Sequence, residues 1–105
     1  MKENIIHVEK WPHPHQPTEQ ELFELMSAEN LEPYRWSNEP HEVYAAHVHD
    51  YHKIIYVVSG SITFGFPIVG EPTILHAGDR LDLPAGVRHN AAVGPDGVVC
   101  LEARR

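Results

Sequence analysis

Two histidines one residue apart open the most constraining stretch of the chain, HVHDYHKIIYVVSG, from His47 to Gly60. In an extended strand, residues i and i+2 point to the same face, so His47 and His49 lie side by side. The run that follows, Ile54-Ile55-Tyr56-Val57-Val58, is β-branched and aromatic and reads as a strand covered on both faces, with Ser59-Gly60-Ser61 as its closing turn. Two imidazoles at the entrance to such a core are costly unless they are hydrogen-bonded or bind a transition metal. A chain built around this stretch must be rich in strands, and it must supply partners for the pair.

The rest of the chain has that character. After an irregular, proline-rich arm, with Trp11-Pro12-His13-Pro14-His15 unable to form a helix, Thr18 and Glu21 stand at capping-box spacing. They predict one helix, Thr18–Asn30, with Leu22, Phe23, Leu25 and Met26 as its apolar stripe. From Leu31 onward the segments are short and separated by turn signals. Tyr34–Trp36 and His41–His49 read as strands, then Lys53–Val58, Ser61–Phe66, Thr73–Leu75, Arg80–Leu83, His89–Val93 and Val98–Ala103. In His41–His49, alternation places His41, Val43, Ala45, His47 and His49 on one face and Tyr44 on the other. This pattern predicts an all-β antiparallel sandwich or barrel with one N-terminal helix.

Composition limits what such a fold can do. A net charge of −7 without a Lys/Arg cluster argues against nucleic acid and anionic membranes. One cysteine, Cys100, excludes an internal disulfide and fits a reducing compartment. No apolar leader or spanning run is visible, so a cytoplasmic setting is expected. Nine histidines are many for 105 residues. His13 and His15 repeat the i, i+2 spacing, but in a proline-stiffened arm expected to add no ligand to a central site.

Two punctuated segments carry a family resemblance. His47-Val48-His49, Lys53 and Gly60 follow the spacing of one motif, and Gly78, Pro84, Gly86 and His89 that of a second. Together, over about residues 41 to 103, they resemble the cupin superfamily, whose fold is a jelly-roll β-barrel. The resemblance implies an arm and helix over 1–40 packed on a cupin barrel over 41–105, forming a single domain overall. It also implies that His47, His49 and His89 are metal ligands, holding one divalent transition metal per chain (Fe, Mn, Ni, Zn or Cu). Here the Pro84-Ala85-Gly86 bend aims His89 toward the first pair.

Lys53 stands where the family has a glutamate ligand. A protonated Lys53 repels a cation, so it is expected to rotate away from a metal or to act as an oxyanion stabiliser beside a histidine base. Tyr44, Tyr51 and Tyr56 offer phenols among which spacing does not choose; Tyr56 is taken with Lys53 as the catalytic pair. His52 is a second-tier ligand. Glu102 shares a strand face with Cys100 and becomes a replacement carboxylate if it points inward.

Three functions stay open: a metal-dependent dioxygenase or isomerase of a small polar molecule, a metal-free sugar or keto-acid isomerase or lyase using His and Lys53, and a small-molecule binding module. For the last, HVHDYHKIIYVVSGSITF also resembles the sensor domains of arabinose-responsive transcription regulators. Ile54, Tyr56 and Val58 make an outer apolar row that needs either the helix or a second subunit, and a homodimer is expected.

Overall fold

The structure, a computed structural model, describes residues 5–105. Strand β1 (His7–Glu9) precedes helix α1 (Glu19–Ala28), followed by β2 (Tyr34–Asn38), β3 (Val43–His47), β4 (Lys53–Gly65), β5 (Thr73–His76), β6 (Arg80–Leu83) and β7 (His89–Arg104). All strand pairings are antiparallel. The first half of β4 runs between β6 and the second half of β7, with β1 and β2 outside them. The second half of β4 runs between β5 and the first half of β7, and β3 flanks β7. The result is a jelly-roll-like fold in which β4 and β7 serve two half-sheets; among the described residues no ladder joins the outer strands into a closed barrel.

The sequence reading splits each of these long strands in two at its glycines. In the structure Ser59-Gly60-Ser61 and Gly94-Pro95-Asp96-Gly97 lie within β4 and β7, and register shifts there bend both strands from one half-sheet to the other. Gly60 has φ +79°, and a Cβ on it would collide with the Gly97 carbonyl. Glycine is therefore required at the bend because two backbones touch there.

Between the half-sheets lies a core that includes Ile55, Val57, Ile62, Phe64, Leu75, Leu81, Leu83 and Cys100. Burial pushes the Cys100 thiol well above its ordinary pKa, as expected of a packing residue. On the outer face α1 seats Leu22 and Met26 against Ile54, Tyr56, Leu101 and Ala103. The cap is as expected: Thr18 Oγ1 accepts from the Glu21 N–H at 3.1 Å, and the Glu21 carboxylate accepts from the Thr18 N–H at 3.3 Å. The stripe is narrower than the sequence suggests. Leu22 and Met26 are buried, while Phe23 and Leu25 face outward. Because α1 covers Ile54 and Tyr56, the outer row no longer calls for a second subunit.

The arm is tied down at the β5–β6 turn. The buried Asp79 carboxylate accepts from the Trp11 and His76 backbone N–H groups (2.9 and 2.8 Å) and from Lys10 Nζ (3.1 Å). Despite burial, those donors hold its pKa below the ordinary 3.8. No helix of the described residues is long and apolar enough to cross a membrane.

Candidate metal centre

His47 ends β3 and His89 begins β7, and the two are directly paired across the ladder. His49 lies two residues past His47. Its backbone carbonyl accepts from the Gly86 N–H at 2.8 Å, which ties the first motif to the Pro84-Ala85-Gly86 bend. The three rings pack with centroids 4.4 to 5.2 Å apart, and one nitrogen from each lies within 4.8 Å of the others. Among the described residues this is the one group of His, Cys, Asp or Glu gathered in this way.

Hydrogen bonds set the tautomers. His47 Nδ1 sits 2.8 Å from the Ala45 carbonyl and His89 Nδ1 2.9 Å from the Val87 carbonyl. A carbonyl only accepts, so both Nδ1 atoms carry a proton, and it is the Nε2 atom that offers a lone pair in the neutral ring. The Nε2 atoms of His49 and His89 are buried without a hydrogen-bond partner. Burial first, and then the neighbouring Lys53 ammonium, lowers the pKa of His49. Burial is also the largest influence on His89, whose pKa is lowered too.

Nδ1 of His47 and His89 is held by a backbone carbonyl, and Nε2 of His49 and His89 is buried without a partner; neutral imidazoles gathered in this way are a donor set a divalent transition metal takes, so the residues fit the ion. Bonds of about 2.0–2.1 Å to one ion need nitrogens no more than about 4.2 Å apart. His47 and His49 are only half-buried, so their rings have room to close the difference.

Beside the histidines opens a cavity of about 370 Å³ with Phe64, Ile55 and Ala91 among its apolar walls. Lys53 lines it, with its ammonium 3.3 Å from the Glu102 carboxylate; the two side chains are 12% and 4% exposed. Tyr34 donates its phenol to Glu102 at 2.7 Å and Trp36 its indole N–H at 3.0 Å. Glu102 and Tyr34 are register partners, as are Ile55 and Glu102, so β2, β4 and β7 bring these groups together. Burial and the Glu102 carboxylate push the Tyr34 phenol up to about 12, which keeps it a donor. Glu102 thus points inward, as the sequence allowed, but two donors and the Lys53 ammonium already occupy it. Tyr34 and Trp36 carried no signal in the sequence beyond a short strand.

The other candidates fall differently. Tyr56 is a correction: it shares the parity of Ile54 and packs under α1, where its phenol receives a 3.4 Å contact from Arg80. It does not reach the cavity. Tyr44 and Tyr51 do. Alternation put Tyr44 on the face opposite His47, but a register shift between the two reverses the parity and brings both to the cavity. Tyr51 packs 5.0 Å from His49, with the Arg104 guanidinium stacked 3.8 Å above its ring. His52 stands outside the cluster. His41 sits before β3 with φ +66° rather than on the strand, and His76 is exposed. His13 and His15 stack on each other in the exposed arm, with His15 paired to Glu21.

Residues 34–102 match the Cupin domain family, and the chain belongs to it. Among solved structures it is similar to a DUF861 family protein from Thermotoga maritima, at 20% identity and a TM-score of 0.64, covering 96% of this chain and 100% of that one. It is also similar to KdgF from Halomonas sp., at 29% identity and a TM-score of 0.56, covering 71% of this chain and 69% of that one. A third is the polyketide cyclase RemF from Streptomyces resistomycificus, at 22% identity and a TM-score of 0.60, covering 70% of this chain and 54% of that one. No curated protein matches the chain in sequence.

Proposed function

We propose that this cupin is a metal-dependent enzyme that acts on a small polar molecule, with one first-row divalent ion held by His47, His49 and His89. The observation that carries the reading is the convergence of three imidazoles, with Nδ1 of His47 and His89 held by backbone carbonyls and Nε2 of His49 and His89 buried without a partner. A bound ion supplies Lewis-acid polarisation of a substrate oxygen.

The chain's own residues define the rest of the reaction space. Lys53 presents an ammonium from the wall, suited to negative charge on the substrate, whether resting or developing as a neighbouring C–H is lost. Tyr44 and Tyr51 bring phenols to the cavity, and Tyr44 donates to Asn38 Oδ1, so its hydroxyl is oriented. The apolar walls limit the water that competes for these groups. This arrangement favours isomerase-type proton transfer on a carbonyl-bearing molecule. A metal-free variant of the same chemistry is the second reading, because Lys53 faces the cavity with or without an ion.

The test is elemental analysis of protein purified without a histidine tag and dialysed. About one first-row metal per chain is expected, and His89→Ala should lose most of it. Wild-type protein that stays metal-free after loading with Fe(II), Mn(II), Ni(II) and Zn(II) overturns the metal reading.

A further inference from the structure

The least accounted-for group in the cavity is Lys53. Glu102 is its acidic partner, yet that carboxylate is shared with Tyr34 and Trp36 at 2.7 and 3.0 Å, and Lys53 stands further off at 3.3 Å. A strong ammonium–carboxylate hydrogen bond is about 2.7–2.9 Å long, so the pair is loose. An ammonium has three N–H donors, and Lys53 makes no hydrogen bond with any of them among the described residues, only the 3.3 Å ion pair with Glu102. The remaining charge lies at the wall of a cavity in which Glu102 is the only acidic lining residue among those described. In a chain with net charge −7, the described lining of this cavity offers no free carboxylate of its own.

We propose that Lys53 is the specificity-determining residue of the cavity. It binds the carboxylate of a small acid whose keto or hydroxyl oxygen, on the adjacent carbon, turns toward the histidines. Glu102, Tyr34 and Trp36 act as positioning residues that hold the ammonium against the wall. This deepens the reading above and rests on its assignment of the cavity as a small-molecule site.

Three observations set the ligand class. A single cation matches a monoanionic carboxylate better than a phosphate dianion, which demands more donors. Lys53 lines the same cavity as His47, His49 and His89, so a small ligand held at Lys53 faces the imidazoles. The apolar wall of Phe64, Ile55 and Ala91 leaves room for an uncharged remainder. A neutral sugar uses none of the ammonium's charge.

The experiment titrates pyruvate and its neutral analogue pyruvamide into the protein by calorimetry, once after dialysis against a chelator and once after Zn(II) loading. Wild-type protein should prefer pyruvate in both states. The double variant Lys53→Met/Glu102→Gln, which leaves no buried charge unpaired, should bind pyruvate at least about tenfold more weakly and pyruvamide unchanged. Lys53→Arg keeps the charge and should retain the preference for the acid. If the double variant fails to fold, Lys53→Arg and the acid–amide comparison in wild type still decide. Equal binding of acid and amide overturns the proposal, as does binding of neither, or a double variant that holds pyruvate as wild type does. A failure of metal loading leaves the chelator-dialysed arm intact, so the two readings fail separately.

Discussion

The Lys53–Glu102 pair makes a prediction about stability that needs no ligand. Both side chains are almost fully removed from water, so the discount that applies to surface ion pairs does not apply here. Removing one member of a buried pair costs about 3–5 kcal/mol, because the other charge stays behind. For Lys53→Met the lower end is expected, about 3 kcal/mol, since Tyr34 and Trp36 still donate to the carboxylate. Glu102→Gln should cost about as much: it strands the ammonium and weakens both neutral donors' bonds. The double variant replaces the pair with uncharged groups of similar size, and the amide that it introduces at position 102 can accept from the Trp36 indole through its oxygen and donate to the Tyr34 phenol through its nitrogen. It should therefore cost about 1 kcal/mol or less rather than the additive value of about 6, a coupling of about 5 kcal/mol. Urea unfolding of the four proteins at pH 7 measures the cycle. Additivity to within about 0.5 kcal/mol would refute the claim that the two charges depend on each other.

Further expectations concern residues away from this pair. Tyr56→Phe should leave ligand and metal binding within about twofold and cost about 1 kcal/mol, since its phenol has only the 3.4 Å contact to Arg80; calorimetry and unfolding together check it. Asp79→Ala should cost about 2–3 kcal/mol and expose the arm to protease. Because the folded pKa of Asp79 lies below its ordinary 3.8, its stabilisation is present above that value and fades as pH falls through the lower folded one. Unfolding midpoints between about pH 5 and 2 should therefore fall less steeply in the Asp79→Ala variant than in wild type. Gly60→Ala should cost about 3 kcal/mol or more, from its positive φ and its collision with the Gly97 carbonyl, and a loss under about 1 kcal/mol in urea unfolding would show that the bend can relax.

Much of the fold was legible because its signals are local. The capping box at Thr18 and Glu21 and the strand periodicity after Leu31 appear where expected. The resemblance to the cupin motifs named His47, His49 and His89, and the structure gathers the three, with the Gly86 N–H bonded to the His49 carbonyl at the bend. Signals that depend on pairing were misread. Gly60 and Gly97 look like turn residues in sequence, and only the β4–β7 ladder shows that they let two strands bend through the molecule. Alternation failed at Tyr44, because one register shift before His47 reverses parity. It would have excluded Tyr56, which shares the face of Ile54, had that parity been applied to the choice of phenol. Tyr34 and Trp36 were invisible as site residues, since their role exists only through Glu102, far along the chain on a neighbouring strand.

The most direct test of the metal centre reads the imidazole nitrogens themselves, by long-range proton–nitrogen correlation of the histidine side chains during a Zn(II) titration. Before metal, His47 and His89 should show the tautomer protonated at Nδ1, as their bonds to the Ala45 and Val87 carbonyls require. On titration, the nitrogen signals of His47, His49 and His89 should move together and saturate near one equivalent, while those of His13, His15, His41 and His76 stay in place. Saturation first at His13 and His15, or a diffuse response spread over all the histidines, would contradict the assignment of the three-histidine cluster as the metal site.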